Sequence, residues 1–229
     1  MLNSNSIIVG IVGTANTGKT TLIKDVVDSE NNVRDRDYQW TLYGKDYRKT
    51  IEEKGLKINR EGNEECQQVI HDTLLQNIID ASNESFHKRM VMDRTILDSF
   101  AYTYWHYRYG TATIKTETLD KMWRQVVKFS KLYTRILYIP LCFCENVKVV
   151  DDKFRDTNSE YRRQIDSIFA AEFLSLSRNG SQMDVIYGNR EERVKRFYLL
   201  EEISLEENMN GRNDFEHCFE EISKDFHVS

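Results

Sequence analysis

Residues Gly13-Thr14-Ala15-Asn16-Thr17-Gly18-Lys19-Thr20 spell GxxxxGK[ST] in full. This pattern does chemistry through its backbone: two glycines permit a tight turn whose amides converge on an anion, and the following helix adds the positive end of its dipole. Lys19 would reach the β- and γ-phosphates of a nucleoside triphosphate. The Thr20 hydroxyl, with Thr21 beside it, would face a Mg²⁺ ion. A turn can match the pattern by chance, so context decides. Here the run Ile7-Ile8-Val9-Gly10-Ile11-Val12 precedes it as a buried strand and a helical pattern follows from Thr20 to about Val27. The expected chemistry is phosphoryl transfer or hydrolysis, with the acceptor unspecified.

A second chemical pair is Asp93-Arg94, which follows the apolar run Met90-Val91-Met92. An acid and a guanidinium at the carboxyl end of a strand stand at the edge where open α/β sheets bind ligands. Asp93 could hold the water shell of Mg²⁺ or take the proton of an acceptor hydroxyl, and Arg94 suits a phosphate. A structural ion pair closing the strand is the competing reading. The helix expected from Leu97 to about Tyr109 places Asp98, Tyr102, Trp105 and Tyr109 on one stripe. Such a stripe could present a carboxylate and flat rings to a base or sugar, or it could fill a core.

These groups need a sheet behind them. Further apolar runs at Ile136-Leu137-Tyr138-Ile139 and Val185-Ile186-Tyr187 each follow an amphipathic stretch, which reads as α/β with right-handed crossovers. Cys66, Val69, Ile70, Leu74 and Ile78 make one helical stripe, with Asn63 as N-cap; Leu119, Met122, Trp123, Val126 and Ser130 make another. Tyr38 to Tyr43 is a weaker strand candidate. Thr157-x-x-Glu160 reads as a capping box opening a helix with Ile165, Ile168, Phe169, Phe173 and Leu176 inward.

The chain has 229 residues, 40% hydrophobic and 30% charged, enough for one packed domain and incompatible with general disorder. No long apolar run or signal-peptide pattern occurs, so no membrane partner is expected. The four cysteines lack disulfide or zinc spacing and suit reduced thiols, which together point to the cytoplasm. The net charge of −5 is concentrated at the end: residues 199–229 carry nine Asp/Glu against Arg212 and Lys224. Residues 1–198 are therefore close to neutral, which gives no general invitation to duplex DNA. The acidic extension has Phe215, Phe219, Ile222 and Phe226 at helical spacing.

Gly13 to Thr20, Asp93-Arg94-Thr95-Ile96-Leu97-Asp98-Ser99-Phe100-Ala101-Tyr102, Asp151 to Arg162 and Gly188 to Val194 together resemble the P-loop kinase family. Within it they are similar to the AAA-type kinase-like branch related to nicotinamide riboside, thymidylate and deoxynucleoside kinases, frequent in phage genomes. The resemblance covers about residues 6 to 198. It implies a three-layer α/β fold, a five-stranded parallel sheet of order 2-3-1-4-5 with Asp93 beside the phosphate-loop strand. It also implies a helical lid at about 150–163, whose Arg155 and Arg162, with Arg163, would close over the transferring phosphate. By the same resemblance the loop at Asn189 borders adenine, and about 34–62 covers the acceptor. Arg34 to Arg60 holds eight Lys/Arg against five Asp/Glu, with Arg36, Lys45, Arg48, Lys49 and Arg60 as candidates for an acceptor phosphate. The characteristic acceptor motif of thymidylate kinases is missing.

The implied activity is an ATP- and Mg²⁺-dependent kinase of a nucleoside or nucleotide-like small molecule, with the oligomeric state open. Two alternatives remain on the sequence: a kinase of a hydroxymethyl-pyrimidine base within phage DNA, which needs a flipped base, and a nucleotide-binding regulatory switch.

Overall fold

The computed structural model describes residues 6–30, 39–84, 88–110, 113–144 and 156–210. Five strands form one parallel sheet: β1 (Ile7–Val12), β2 (Trp40–Leu42), β3 (Arg89–Asp93), β4 (Arg135–Tyr138) and β5 (Met183–Val185), in the order β2-β3-β1-β4-β5. This is the order that the resemblance implied. Strand β1 sits at the centre, and all six of its residues are buried, as a parallel strand covered on both faces requires.

The alternation of side chains along the strands assigns the two helical layers. Ile8 and Val12, with Met90, Met92, Ile136 and Tyr138, meet α3 (Glu64–Ser82), α4 (Ile96–Tyr109), α5 (Thr116–Phe129) and α6 (Ser159–Arg178). Ile7, Val9 and Ile11, with Val91 and Leu137, meet α1 (Lys19–Glu30) and α7 (Arg190–Asn210) through Leu22, Ile23, Val26 and Phe197. Each such large apolar side chain taken out of water contributes roughly 1.5–3 kcal/mol. A short helix, α2 (Tyr47–Glu53), follows β2 and is capped by Asp46, whose carboxylate accepts from the Arg48 amide.

Strand β1 is interrupted by Gly10, where a Cβ would collide with Thr95 Cγ2 and the Tyr133 ring. The missing side chain lets the first residues of α4 lie directly against the central strand. Asn63 caps α3 by accepting from Cys66 N, as its sequence position suggests.

One expectation is corrected. The helix after the lid begins at Ser159, so Asn158 is its N-cap, accepting from Tyr161 N at 2.8 Å; Thr157 lies one residue too early for a capping box. Of the two readings of the aromatic stripe, Trp105 takes the core one: it is packed edge-on against Tyr161 at 4.6 Å between ring centroids, with its Nε1 donating to Gln164. Helix α7 runs unbroken from Arg190 to Asn210, across residues 198 and 199. Residue Glu201 of that helix is buried and ion-paired with Arg89 at the start of β3, so the first turns past 198 are part of the sheet's packing. Arg36, Arg155 and the aromatic repeat at 215–226 lie outside the described residues.

Glu201→Ala therefore removes the carboxylate from a buried pair and should cost about 3–5 kcal/mol, read from urea unfolding, because the Arg89 charge stays buried. A change under about 1 kcal/mol would mean that this pair is loosely solvated.

Candidate active site

The phosphate loop leaves the carboxyl end of β1 and turns into α1. Gly13 and Gly18 have φ of 144° and 90°, and Asn16 sits at 58°, conformations that shape the turn. The loop's carbonyls are engaged by cations from three places. Lys19 Nζ donates to Gly13 O at 2.7 Å and Thr14 O at 2.8 Å. Arg162 of α6 donates from Nε to Ala15 O at 3.1 Å and from Nη2 to Asn16 O at 3.4 Å. Arg193 of α7 donates from Nη1 to Thr17 O at 2.6 Å. A carbonyl and the next amide belong to one planar peptide and point in opposite directions. Each carbonyl of 13–17 held by a cation thus turns the amide that follows it, from 14 to 18, away from that cation.

Arg162 was expected in a mobile lid. It is instead buried in the second turn of the helix wall, with its guanidinium on the loop backbone; Arg163 beside it is exposed. Of the residues expected in the lid, Asp156 forms an ion pair at 2.6 Å with Arg60 of the acceptor-covering segment, so Arg60 has a carboxylate partner. Arg48 and Lys49 face Asp46 at 3.8 Å and Glu53 at 3.9 Å, and the Lys45 amide bonds Asn77. Among the described cations of this segment, Arg48, Lys49 and Arg60 thus each face a carboxylate.

Asp93, the last residue of β3, lies beside β1 in register with Ile11. Its Oδ2 accepts from Thr20 Oγ1 at 3.0 Å. These are two hard oxygen donors at the mouth of the loop. Among the described residues there is no group of three or more His, Cys, Asp or Glu that could enclose a metal. A cation bound between Thr20 and Asp93 would keep most positions for water and phosphate, which fits Mg²⁺ better than metals held in full protein cages.

Arg94 takes φ 82°, uncommon for a residue with a side chain, with its amide donating to Ile11 O at 3.1 Å. The turn carries the chain from β3 into α4, where Thr95 and Asp98 form a reciprocal capping box, Thr95 N donating to Asp98 Oδ2 at 2.8 Å. Asp98 Oδ1 makes no hydrogen bond and stands 3.6 Å from Arg94 Nη1. Arg94 also lies over the Tyr102 ring at 5.5 Å. A cavity opens here, lined by Arg94, Asp98 and Tyr102 together with Tyr47, Asn59, Gln67 and Ser99. Four of these, Tyr47, Asn59, Gln67 and Ser99, carried no expectation. Their signal is three-dimensional, since α2, the turn before α3 and α3 itself converge on α4 only after folding.

Burial raises the Asp98 carboxyl to about 6 against the pull of Arg94 and Lys19, and burial together with Arg94 lowers the Lys19 amine to about 8. The two charges therefore face each other in a largely dry site.

On the other side of the loop, a second cavity is lined by Gly18, Thr21, Asp25, Phe143, Tyr187 and Asn189. Phe143 and Tyr187 are half-exposed rings 5.4 Å apart. Asn189 caps α7 in a reciprocal pair with Glu192: Glu192 N donates to its Oδ1 at 3.0 Å, and its own amide donates to Glu192 Oε2 at 2.7 Å. Arg190 closes the rim on Asp25 with contacts of 2.5 and 2.6 Å.

Comparison with solved structures puts this geometry in a known frame. NadR protein in complex with NR superposes with a TM-score of 0.58 at 16% identity, over 81% of this chain and 48% of that one. NadR in complex with NAD and AMP-PNP gives 0.55 at 14% identity, with 81% and 46% covered. Deoxyadenosine kinase from M. mycoides with bound dATP gives 0.57 at 13% identity, with 84% and 97% covered. The chain has a P-loop kinase fold. It spans about half the length of the NadR chains and nearly the whole of the deoxyadenosine kinase. No protein-family profile and no curated protein sequence matches it. No helix among the described residues is long and apolar enough to cross a membrane.

The raised pKa of Asp98 has a stability consequence. The folded state binds the proton more tightly than the unfolded one, so the group's contribution is full below about pH 4 and is lost as pH rises through 6. Asp98→Asn, which can still accept from Thr95 N, should flatten this decline. Urea unfolding of both proteins between pH 4 and 7 checks it, and parallel curves would place the titration elsewhere.

Proposed function

We propose that the protein is a P-loop kinase that transfers the γ-phosphoryl group of ATP to a hydroxyl of a nucleoside or nucleotide-like small molecule. The observation that carries this reading is the Thr20–Asp93 pair at the mouth of the loop, with one cavity lined by Arg94, next to Asp93, and a second lined by Gly18 and Thr21, which flank Thr20 and its neighbour Lys19. The likeness to a deoxyadenosine kinase with dATP and to NadR with AMP-PNP supports the same class of donor and acceptor.

In this reading the amides of 14–18 and Lys19 hold the phosphates, and Lys19 exchanges its bonds to Gly13 O and Thr14 O for phosphate oxygens. Thr20 and Asp93 hold Mg²⁺, which when bound screens the charge of the phosphates. The donor base enters between Phe143, Tyr187 and the Asn189 turn. The acceptor's ring lies against Tyr47, Tyr102, Asn59 and Gln67 once the cavity they line, of about 30 Å³, widens to admit it. Its hydroxyl donates to the unshared Oδ1 of Asp98, which aligns the nucleophile, and Arg94 meets the negative charge of the transferring group. Closure of the acceptor side by the Arg60–Asp156 pair keeps water from competing with the hydroxyl.

A neutral acceptor is favoured over a monophosphate. Arg94 is the cation lining that cavity and already faces Asp98, while Arg48, Lys49 and Arg60 have carboxylates of their own.

The test is a transfer assay with Mg²⁺ and labelled ATP, offering deoxynucleosides, their monophosphates, nicotinamide riboside and hydroxymethyluracil-containing DNA separately. Label on a free nucleoside is expected. Label only in DNA, or tight ATP binding with no transfer to any acceptor, would overturn the reading. With the accepted substrate, Lys19→Ala should lower turnover by about 10²-fold or more with the fold retained, since its head serves the loop. Asp93→Asn should also shrink the gain in ATP affinity that Mg²⁺ confers, measured by titrations with and without the ion; an unchanged gain would remove Asp93 from the metal site.

A further inference from the structure

Arg193 belongs to no expected group of site residues, yet its guanidinium joins more of the donor side than any other side chain described above. Its Nε donates to Gly188 O at 2.8 Å, its Nη1 to Thr17 O at 2.6 Å and its Nη2 to Phe143 O at 2.9 Å. The same Nη2 lies 3.4 Å from Cys144 Sγ, and that thiol in turn faces Thr17 O at 3.5 Å and Pro140 O at 3.2 Å. The three carbonyls come from the phosphate loop, the turn after β4 and the turn after β5. These are the three segments that wall the Phe143–Tyr187 cavity.

The side chain is 6% exposed, and a Cβ on Gly18 would stand 3.0 Å from its Nη1, so the cation lies directly beneath the loop. A guanidinium offers five N–H donors in a planar fork of fixed angles. Carbonyls bound to its three nitrogens cannot shift independently. A lysine at the same place would bring equal charge but no fork.

We propose that Arg193 is a positioning residue that fixes the phosphate loop and both walls of the donor-base cavity as one unit, so that recognition of the base and of the triphosphate is a single event. The inference rests on reading this cavity as the donor site. It goes beyond that reading by making the base's contribution to binding depend on three carbonyls that Arg193, itself part of the cavity wall, holds together. A purely structural role predicts a loss of stability with the base's contribution intact. Positioning predicts loss of that contribution in a folded protein.

The experiment is calorimetric titration of the full chain with Mg²⁺ and, separately, ATP or inorganic tripolyphosphate. Wild type should bind ATP more tightly than tripolyphosphate, the ratio measuring what the base adds. In Arg193→Lys, shown folded by circular dichroism, ATP affinity should fall by about tenfold or more and the ratio should collapse towards one, as charge-assisted hydrogen bonds are lost while the charge remains. A folded Arg193→Lys protein with the wild-type ratio would overturn the proposal. Wild type that binds neither compound would instead remove the donor-site reading, and the Arg193 proposal with it. Should Arg193→Lys fail to fold, hydrogen exchange on wild type decides the matter. Tripolyphosphate, which has no base to contact the walls, should slow the amides of 14–19, 142–144 and 187–189 together, whereas slowing confined to 14–19 would show that the walls are not coupled to the loop.

Discussion

The interaction on which the rest depends is the capture of five successive carbonyls, from Gly13 to Thr17, by Lys19, Arg162 and Arg193. A loop rich in glycine has many accessible shapes, and the one that points its amides at an anion is entropically costly to hold. Here the helical layers on both faces of the sheet each supply an arginine that grips the loop from behind. The core therefore does more than support the strands: α6 and α7 are placed so that buried cations reach the one irregular segment whose shape matters. Desolvation of those cations is offset by carbonyl dipoles, which bring no net charge to cancel the field offered to a polyanion.

The acceptor side depends in the same way on a single local geometry, the passage from β3 into α4. Gly10 leaves room for Thr95 against the central strand, Arg94 turns through a positive φ, and Asp98 caps the helix with one carboxylate oxygen while the other stays unshared. Asp93 faces the loop and Asp98 faces the cavity because the strained residue between them reverses the chain's direction. Two acids five residues apart thereby acquire different environments, one half-exposed beside Thr20 and one fully buried beside Arg94.

The parts of this arrangement that the sequence makes legible are those governed by local pattern. The spacing of Gly13, Gly18, Lys19 and Thr20, the buried run of β1, the Asn63 cap and the acid at the end of β3 all obey rules that operate within a few residues. The sheet order came from resemblance, not from any such rule. What eludes local reasoning is direction. The side chain of Arg162 is legible as a cation one turn into a helix, but not as one aimed inward at Ala15 and Asn16, 147 and 146 residues away. Arg193 shares a helical stripe with the buried Phe197 and Glu201, and only knowledge that this stripe faces the sheet would have shown that its charge must find partners there. The shift of the α6 cap from Thr157 to Asn158 has a smaller cause: both are good capping residues, and the choice between neighbours is made by Asp156, whose Oδ1 accepts from the Asn158 amide.

The grip of Arg193 on Thr17 also orders events during synthesis. The brace on Thr17 is synthesised 176 residues after the loop that it holds. Helix α7 also carries Tyr198, whose hydroxyl donates to Val26 O, and Arg190, paired with Asp25, so the packing of α1 is completed by α7. A nascent chain that has built four strands still lacks the clamp on its own opening loop. The loop shape that this architecture offers to a triphosphate is therefore braced in full only once α7 has been made and docked.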